Sequence, residues 1–344
     1  MYSFTNDYSE MCHPLILENI SKCLNNQYGG YSSDSIFKAL NQKIIKLLDN
    51  PESQIYLFSG GTQTNLVTIK SVLQPYQGVI SADTGHISTH ETGAIEACGH
   101  KILTIPSSDG KIYAQEVAKL CQSHFEDPNF EHTVQPGMVY ISNPTEVGTI
   151  YKKSELEALI KVCHQYHIPL FLDGARLATA LTSKENDIDF KDLAKLTDMF
   201  YIGGTKCGAL FGECLVINSP KYQKNFRYIM KQKGALMAKG FVMATQFDTL
   251  FTDGLYFKIG QHENDLANYF SAQLQSHAVK MFQPQATNQI FPILTNSKIN
   301  DLKTNFDFQI WEKISADTSA IRICISFMTT KSVVDQLIAA IIKE

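Results

Sequence analysis

The feature that most limits the fold of this chain is an alternation of short apolar runs with longer amphipathic stretches over about the first 220 positions. Strands buried on both faces of a parallel sheet read as continuous apolar runs rather than as every-other-residue patterns. Runs at 55–58, 78–81, 102–105, 138–142, 169–172, 199–202 and 214–217 have that character. Between them, 63–73, 114–125, 154–166 and 190–196 repeat apolar residues at helical spacing, with Ser154 placed to cap the third. Such alternation predicts an α/β domain, a mainly parallel sheet flanked by helices. Further on, 221–234 and 237–251 read as helices and 255–278 as one long helix. Short strands near 280–283, 290–294 and 322–327 follow, then a closing helix over 331–343. The expected organisation is a large α/β domain over 1–249, N-terminal arm included, and a smaller α+β domain over 250–344.

Composition narrows the function classes. With 44% hydrophobic and 19% charged residues the chain has the balance of a globular enzyme. A net charge of −4 supplies no basic field for a phosphate backbone, so no nucleic-acid partner is expected. The eight cysteines contain no C-x-x-C pair, which points to free thiols in a reducing compartment. Met1–Asp7 lacks a basic stretch followed by an apolar run, so no signal peptide is expected. No apolar stretch is long enough to span a bilayer, and the expected location is cytoplasmic. His164 and His167 share a helical face, but no acid or cysteine accompanies them at ligand spacing, and no metal is expected.

Three motifs could carry chemistry. Ser59-Gly60-Gly61-Thr62-Gln63-Thr64-Asn65 follows one strand and opens a helix. Glycines there let backbone N–H groups approach an anion; alone, the motif is equally a tight strand-to-helix turn. It matches neither G-x-x-x-x-G-K-[ST] nor G-x-G-x-x-G, which disfavours a nucleotide and leaves a small phosphorylated cofactor. Asp173 ends the run Leu170-Phe171-Leu172, at the sheet edge where α/β proteins bind ligands. Its ordinary role would be a helix cap. Against a protonated pyridine nitrogen its carboxylate would contribute on the order of 4 kcal/mol in a partly screened site. Lys206 stands among small residues in Tyr201-Ile202-Gly203-Gly204-Thr205-Lys206-Cys207-Gly208. A solvated loop lysine is the plain reading; burial and nearby cations would make it a neutral nucleophile.

Phosphate loop, strand-end acid and lysine, in that order, are what a pyridoxal-phosphate site requires. On these motifs the chain resembles the threonine aldolase family of fold-type I pyridoxal-phosphate enzymes, within the β-eliminating lyase-like group. The resemblance also runs through Phe4–Glu10, His86-Ile87-Ser88-Thr89-His90-Glu91-Thr92-Gly93-Ala94, Asn143–Thr149 and Ile321-Arg322-Ile323, nearly end to end.

It implies that Lys206 carries the cofactor as a Schiff base and Asp173 pairs with the ring nitrogen. Gly60, Gly61, Thr62 and Thr205 would hold the phosphate, with Arg176 also near the cofactor, and His86 would stack on the ring. Asn6, Arg176 and Arg322 would bind the carboxylate of an amino-acid substrate, Arg322 by a two-point fork. Tyr31 and Asp34 match a loop that reaches a neighbouring subunit's site, implying a homodimer or homotetramer with active sites at the interface. Three departures from the pattern stand out: Phe241 where relatives carry arginine, the pair Met11-Cys12 before His13-Pro14, and Cys207 after the lysine.

The implied reaction is cleavage of L-threonine or L-allo-threonine to glycine and an aldehyde. The hydroxyl proton would go to His86, His90 or a water held by either. The alternatives are a β-eliminating lyase of the same fold and a cofactor-binding protein without turnover.

Overall fold

The computed structural model describes residues 1–343. Strand β1 (Tyr2–Ser3) precedes the main sheet, whose strands are β2 (Gln54–Phe58), β3 (Gln77–Ala82), β4 (Ile102–Ile105), β5 (Gln135–Ser142), β6 (Leu170–Asp173), β7 (Met199–Gly203) and β8 (Glu213–Ile217). Their spatial order is β2-β8-β7-β6-β5-β3-β4. All neighbours pair in parallel except those of β8, which runs antiparallel to both β7 and β2. The mainly parallel sheet expected from the apolar runs is present, and each run lies within a strand or one residue of it.

Side-chain alternation divides the sheet's packing between two layers. Val139, Ile141, Leu170, Leu172, Phe200 and Ile202 enter one buried cluster. Met138, Tyr140, Phe171, Met199 and Tyr201 enter the other, under the helix Gly61–Val72. The two faces need helices on both sides, and the intervening amphipathic segments supply them.

A second core lies C-terminal. Strands β9 (Gln289–Ile290), β10 (Ile293–Thr295), β12 (Gln309–Lys313) and β13 (Thr318–Cys324) form an antiparallel sheet, and β11 (Phe306–Asp307) pairs with β1. Phe4 joins Phe270, Ile321, Ile323 and Leu337 in this core, so the first residues of the chain pack with the C-terminal sheet. The helix Leu255–Ser276 connects the two units, placing Ile259 in the large core and Leu266 and Phe270 in the small one.

Some expectations change. The predicted helix over 221–234 is interrupted: Pro220–Tyr222 forms a 3-10 turn, Asn225 takes φ 64°, and the α-helix covers only Phe226–Gln232. The strand expected near 280–283 reduces to one bridge between Met281 and Pro292. Ser154 lies inside its helix; the cap is Lys152, whose N–H donates to Glu155 at 2.7 Å.

The strand ends converge too tightly for larger side chains. A Cβ on Gly174 would overlap the carbonyl oxygen of Tyr201, and one on Gly203 would overlap that of Ala175. Gly174→Ala must therefore separate β6 from β7, and urea unfolding should show a loss of about 3 kcal/mol. A loss below about 0.5 kcal/mol would show that the strands part freely.

Candidate active site

The C-terminal ends of the parallel strands lie on one edge of the sheet, and antiparallel β8 contributes its N-terminal end there. Register aligns Ser142 with Asp173, and Glu213 with both Gly203 and Phe58. A cleft of about 300 Å³ opens on this edge. Gly60, Gly61, Thr62, His86, Asp173, Arg176, Thr205 and Lys206 all line it. The structure thus brings eight of the twelve sequence-predicted site residues into one space.

The other four are placed as follows. The His90 ring stacks on His86 with centroids 5.6 Å apart, and burial followed by the charges of His86, Arg322 and Lys206 holds it below the usual imidazole range. Arg322 donates to the Thr5 carbonyl at 3.2 Å and sits 5.3 Å from the Trp311 ring, while its Nε is buried without a partner. Asn6, next to Thr5, accepts from the Tyr8 N–H and the Ser9 hydroxyl. Tyr31 is away from this chain's cleft: its carbonyl accepts from Arg227, and Lys231 lies 4.3 Å from its ring.

Charge is concentrated around a buried amine. Burial and the Arg176 guanidinium push Lys206 below the usual lysine range, with Asp7, Asp173 and Glu213 pulling the other way. Lys206 makes no ion pair among the described residues; its ammonium lies 5.9 Å from the centroid of the half-exposed Tyr8 ring. Arg176 is committed to Asp7 by two bonds, one of 3.0 Å from Nη2 and one from Nε. Asp7, fully buried, also accepts from Asn288 at 3.0 Å. Burial alone would raise Asp7, but Arg176 and Lys206 hold it below the usual carboxylate range.

Asp173 is held on both oxygens. Tyr140 donates to Oδ2 at 2.6 Å and Asn65 at 3.1 Å, while the Ala175 N–H donates to Oδ1 at 3.0 Å. Glu146 accepts from the His86 N–H at 2.9 Å and from Ser142 at 2.7 Å, and burial raises its pKa. Glu213 accepts from the Gly204 N–H at 2.9 Å, and burial pushes it up to about 7 against the pull of Gly204, Thr205 and Lys206.

Sequence reasoning assigned no role to Asp7, Asn65, Glu91, Tyr140, Glu146 or Glu213. Four of these lie inside the matched stretches, and for Asn65, Glu91 and Glu146 a polar residue near glycine was a usable signal. Tyr140 and Glu213 sit in or at the start of apolar runs. A charged residue opening a buried strand was the one cue that β8 starts at the site.

This donor set fits pyridoxal phosphate. The N–H groups of Gly61 and Thr62 open a twelve-residue helix with no side-chain cap and no acceptor among the described residues, which suits a phosphate. Asp173 offers a fixed buried carboxylate to a ring nitrogen, and Lys206 a desolvated amine to an aldehyde. No group of three or more acids, histidines or cysteines is gathered for a metal among the described residues.

The comparisons with known proteins agree with this geometry. The arrangement is that of a fold-type I pyridoxal-phosphate enzyme. The model of the family described as beta-eliminating lyase matches residues 24–297. A threonine aldolase structure from Leishmania major superposes with a TM-score of 0.96 at 43% identity, covering 99% of this chain and 98% of that one. A low specificity L-threonine aldolase of Pseudomonas sp. (strain NCIMB 10558) is 26% identical over 305 residues, 87% of this chain and 86% of its own. One from Candida albicans is 22% identical over 278 residues, 78% and 71% of the two chains. The chain belongs to the threonine aldolase family of pyridoxal-phosphate-dependent lyases.

Glu213 gives a pH-dependent prediction for the cofactor-free protein. Its pKa in the folded state lies above its ordinary value of 4.5, so the protonated acid favours folding and the ionised acid opposes it. The penalty grows between about pH 4.5 and 7 and reaches about 3 kcal/mol. Glu213→Gln should therefore gain stability over the wild type as pH rises from 5 to 8, measured by urea unfolding. A difference that stays constant with pH would contradict the assignment.

Proposed function

We propose that the cleft cleaves the Cα–Cβ bond of L-threonine and L-allo-threonine, giving glycine and acetaldehyde, with Lys206 holding pyridoxal phosphate covalently. The observation that carries this reading is the convergence of a half-buried lysine with a desolvated amine, a strand-end aspartate and an uncapped helix start on one cleft. Gly60, Gly61, Thr62 and Thr205 would hold the phosphate, Asp173 would keep the ring nitrogen protonated, and His86 would lie against the ring. When bound, the cofactor supplies an electron sink for the pair released at Cα.

The chain's own residues do the rest. Arg322 binds the substrate carboxylate, with Asn6 beside it, through guanidinium donors other than the one given to the Thr5 carbonyl, and so fixes the orientation of the Cα–Cβ bond. Arg176 sets the position of Asp7 and lends positive charge; its fork is already engaged, which makes Arg322 the principal carboxylate ligand. His90, held neutral, accepts the β-hydroxyl proton directly or through water, with His86 as the second candidate. The hydroxyl oxygen becomes the aldehyde oxygen as the bond breaks, and Cα takes up one proton to leave as glycine.

The reading extends to organisation. Residues 1–249 form the cofactor domain and 250–344 the small domain, with β1 and Phe4 lent to the latter. Two or more copies assemble so that Tyr31 and Asp34 of one subunit approach the cleft of another. Phe241, where relatives carry arginine, stacks on Tyr28 at 4.7 Å, an apolar replacement for a basic contact near that loop. No helix among the described residues is long and apolar enough to cross a membrane, and we place the enzyme in the cytoplasm.

Lys206→Ala should abolish both the visible cofactor band and aldehyde release from L-threonine. A band of wild-type intensity would overturn the lysine assignment. Arg322→Lys, which keeps the charge but loses the fork, should raise KM about tenfold or more with a smaller change in kcat. An unchanged KM would move carboxylate binding elsewhere. Pyruvate and ammonia in place of glycine and aldehyde would instead support the β-eliminating reading.

A further inference from the structure

The helix Gly61–Val72 buries an amide where its neighbours Val67 and Ile69 bury hydrocarbon. Asn65 is fully buried, and its Nδ2 donates at 2.7 Å to Glu91 Oε1 and at 3.1 Å to Asp173 Oδ2. The same Glu91 oxygen meets His86 Nδ1 at 2.9 Å. One NH2 group with two hydrogens thus bridges two carboxylates. One of these orients the histidine, and the other is the strand-end acid.

The orientation of this amide follows from its partners. Turned over, Asn65 would face two carboxylates with its oxygen, and both would lose a donor. In the observed orientation Asn65 Oδ1 and Glu91 Oε2 are buried without partners. Unsatisfied buried acceptors oppose folding, so the arrangement is a poor way to stabilise a core and a good way to fix two acids relative to each other. Because Glu91 Oε1 accepts from Asn65, its bond to His86 is made with the proton on Nδ1, which leaves Nε2 free on the far side of the ring.

We propose that Asn65 is a positioning residue that locks His86, through Glu91, to Asp173, so that the groups expected on the face and at the nitrogen of the cofactor ring move as one unit. The inference rests on the reading of the cleft as a pyridoxal-phosphate site and adds to it a residue with no direct contact to substrate. It differs from ordinary packing in a specific way. A side chain of the same size without donors fills the space but leaves His86 and Asp173 uncoupled.

The test uses the cofactor-free protein titrated with pyridoxal phosphate, followed by fluorescence quenching, together with the visible circular dichroism of the bound cofactor. Asn65→Leu keeps the volume and removes both donors. It should weaken cofactor binding about tenfold, comparable to losing one hydrogen bond to a charged group, and reduce the visible dichroism. Asn65→Ser, with one hydroxyl donor, should fall between wild type and Asn65→Leu; it also serves if Asn65→Leu does not fold.

A His86→Phe variant, which keeps a stacking ring, completes a double-mutant cycle with whichever Asn65 variant folds. The two losses should combine to less than their product, because Asn65 acts through the residue already removed. Wild-type affinity and dichroism in the Asn65 variants, or losses that multiply fully, would overturn the proposal. Failure of the wild-type protein itself to bind pyridoxal phosphate would instead remove the reading of the cleft on which it rests.

Discussion

Burying a lysine amine at the edge of a sheet is the constraint that organises this molecule. A buried ammonium without a partner is costly, so the chain keeps charge of both signs around Lys206: Arg176 disfavours its charged form, while Asp7, Asp173 and Glu213 favour it. The acids come from separate segments: the N-terminal arm, the end of β6 and the start of β8. Only the folded topology brings them together. The antiparallel course of β8 matters here, because it delivers the first residue of a strand to an edge otherwise built from last residues.

Close approach of backbones makes the same edge possible. Gly174 and Gly203 let β6 and β7 meet without side chains between them, and Gly204 leaves the turn room beside Phe247. Strand-end glycines followed by a functional residue therefore have a packing reason as well as a chemical one. The layer under the helix Gly61–Val72 is apolar through Tyr140, Phe171 and Tyr201 until it reaches Asp173, where the tyrosine hydroxyl of one strand turns to the carboxylate of the next.

Much of this was legible in the sequence. Strands buried on both faces announce themselves as apolar runs, which is why β7 was read to within one residue of its observed bounds and β5 only lacked its first residues. The chemistry-bearing positions followed from the rule that ligands bind at strand ends. Three kinds of feature were missed. The helix Pro14–Ser21 is placed by packing on the helix Gly240–Leu250, whereas Ser35–Leu48 was readable, with Asp34 as its cap and Leu40, Ile44 and Leu48 on one face, and went unread. The break at Asn225 depends on a left-handed backbone residue that periodicity does not register. The pairing of Asp7 with Arg176, and of Asn65 with Glu91 and Asp173, joins positions far apart in the chain. Motif spacing names such residues without saying which of them touch.

The central claim is the covalent attachment of the cofactor at one amine, and chemical mapping tests it most directly. The protein loaded with pyridoxal phosphate is reduced with borohydride, digested, and its modified peptide sequenced by mass spectrometry. The account predicts a pyridoxyl group on Lys206 and loss of the visible band on reduction. A label on another lysine, with Lys206 unmodified, would contradict it.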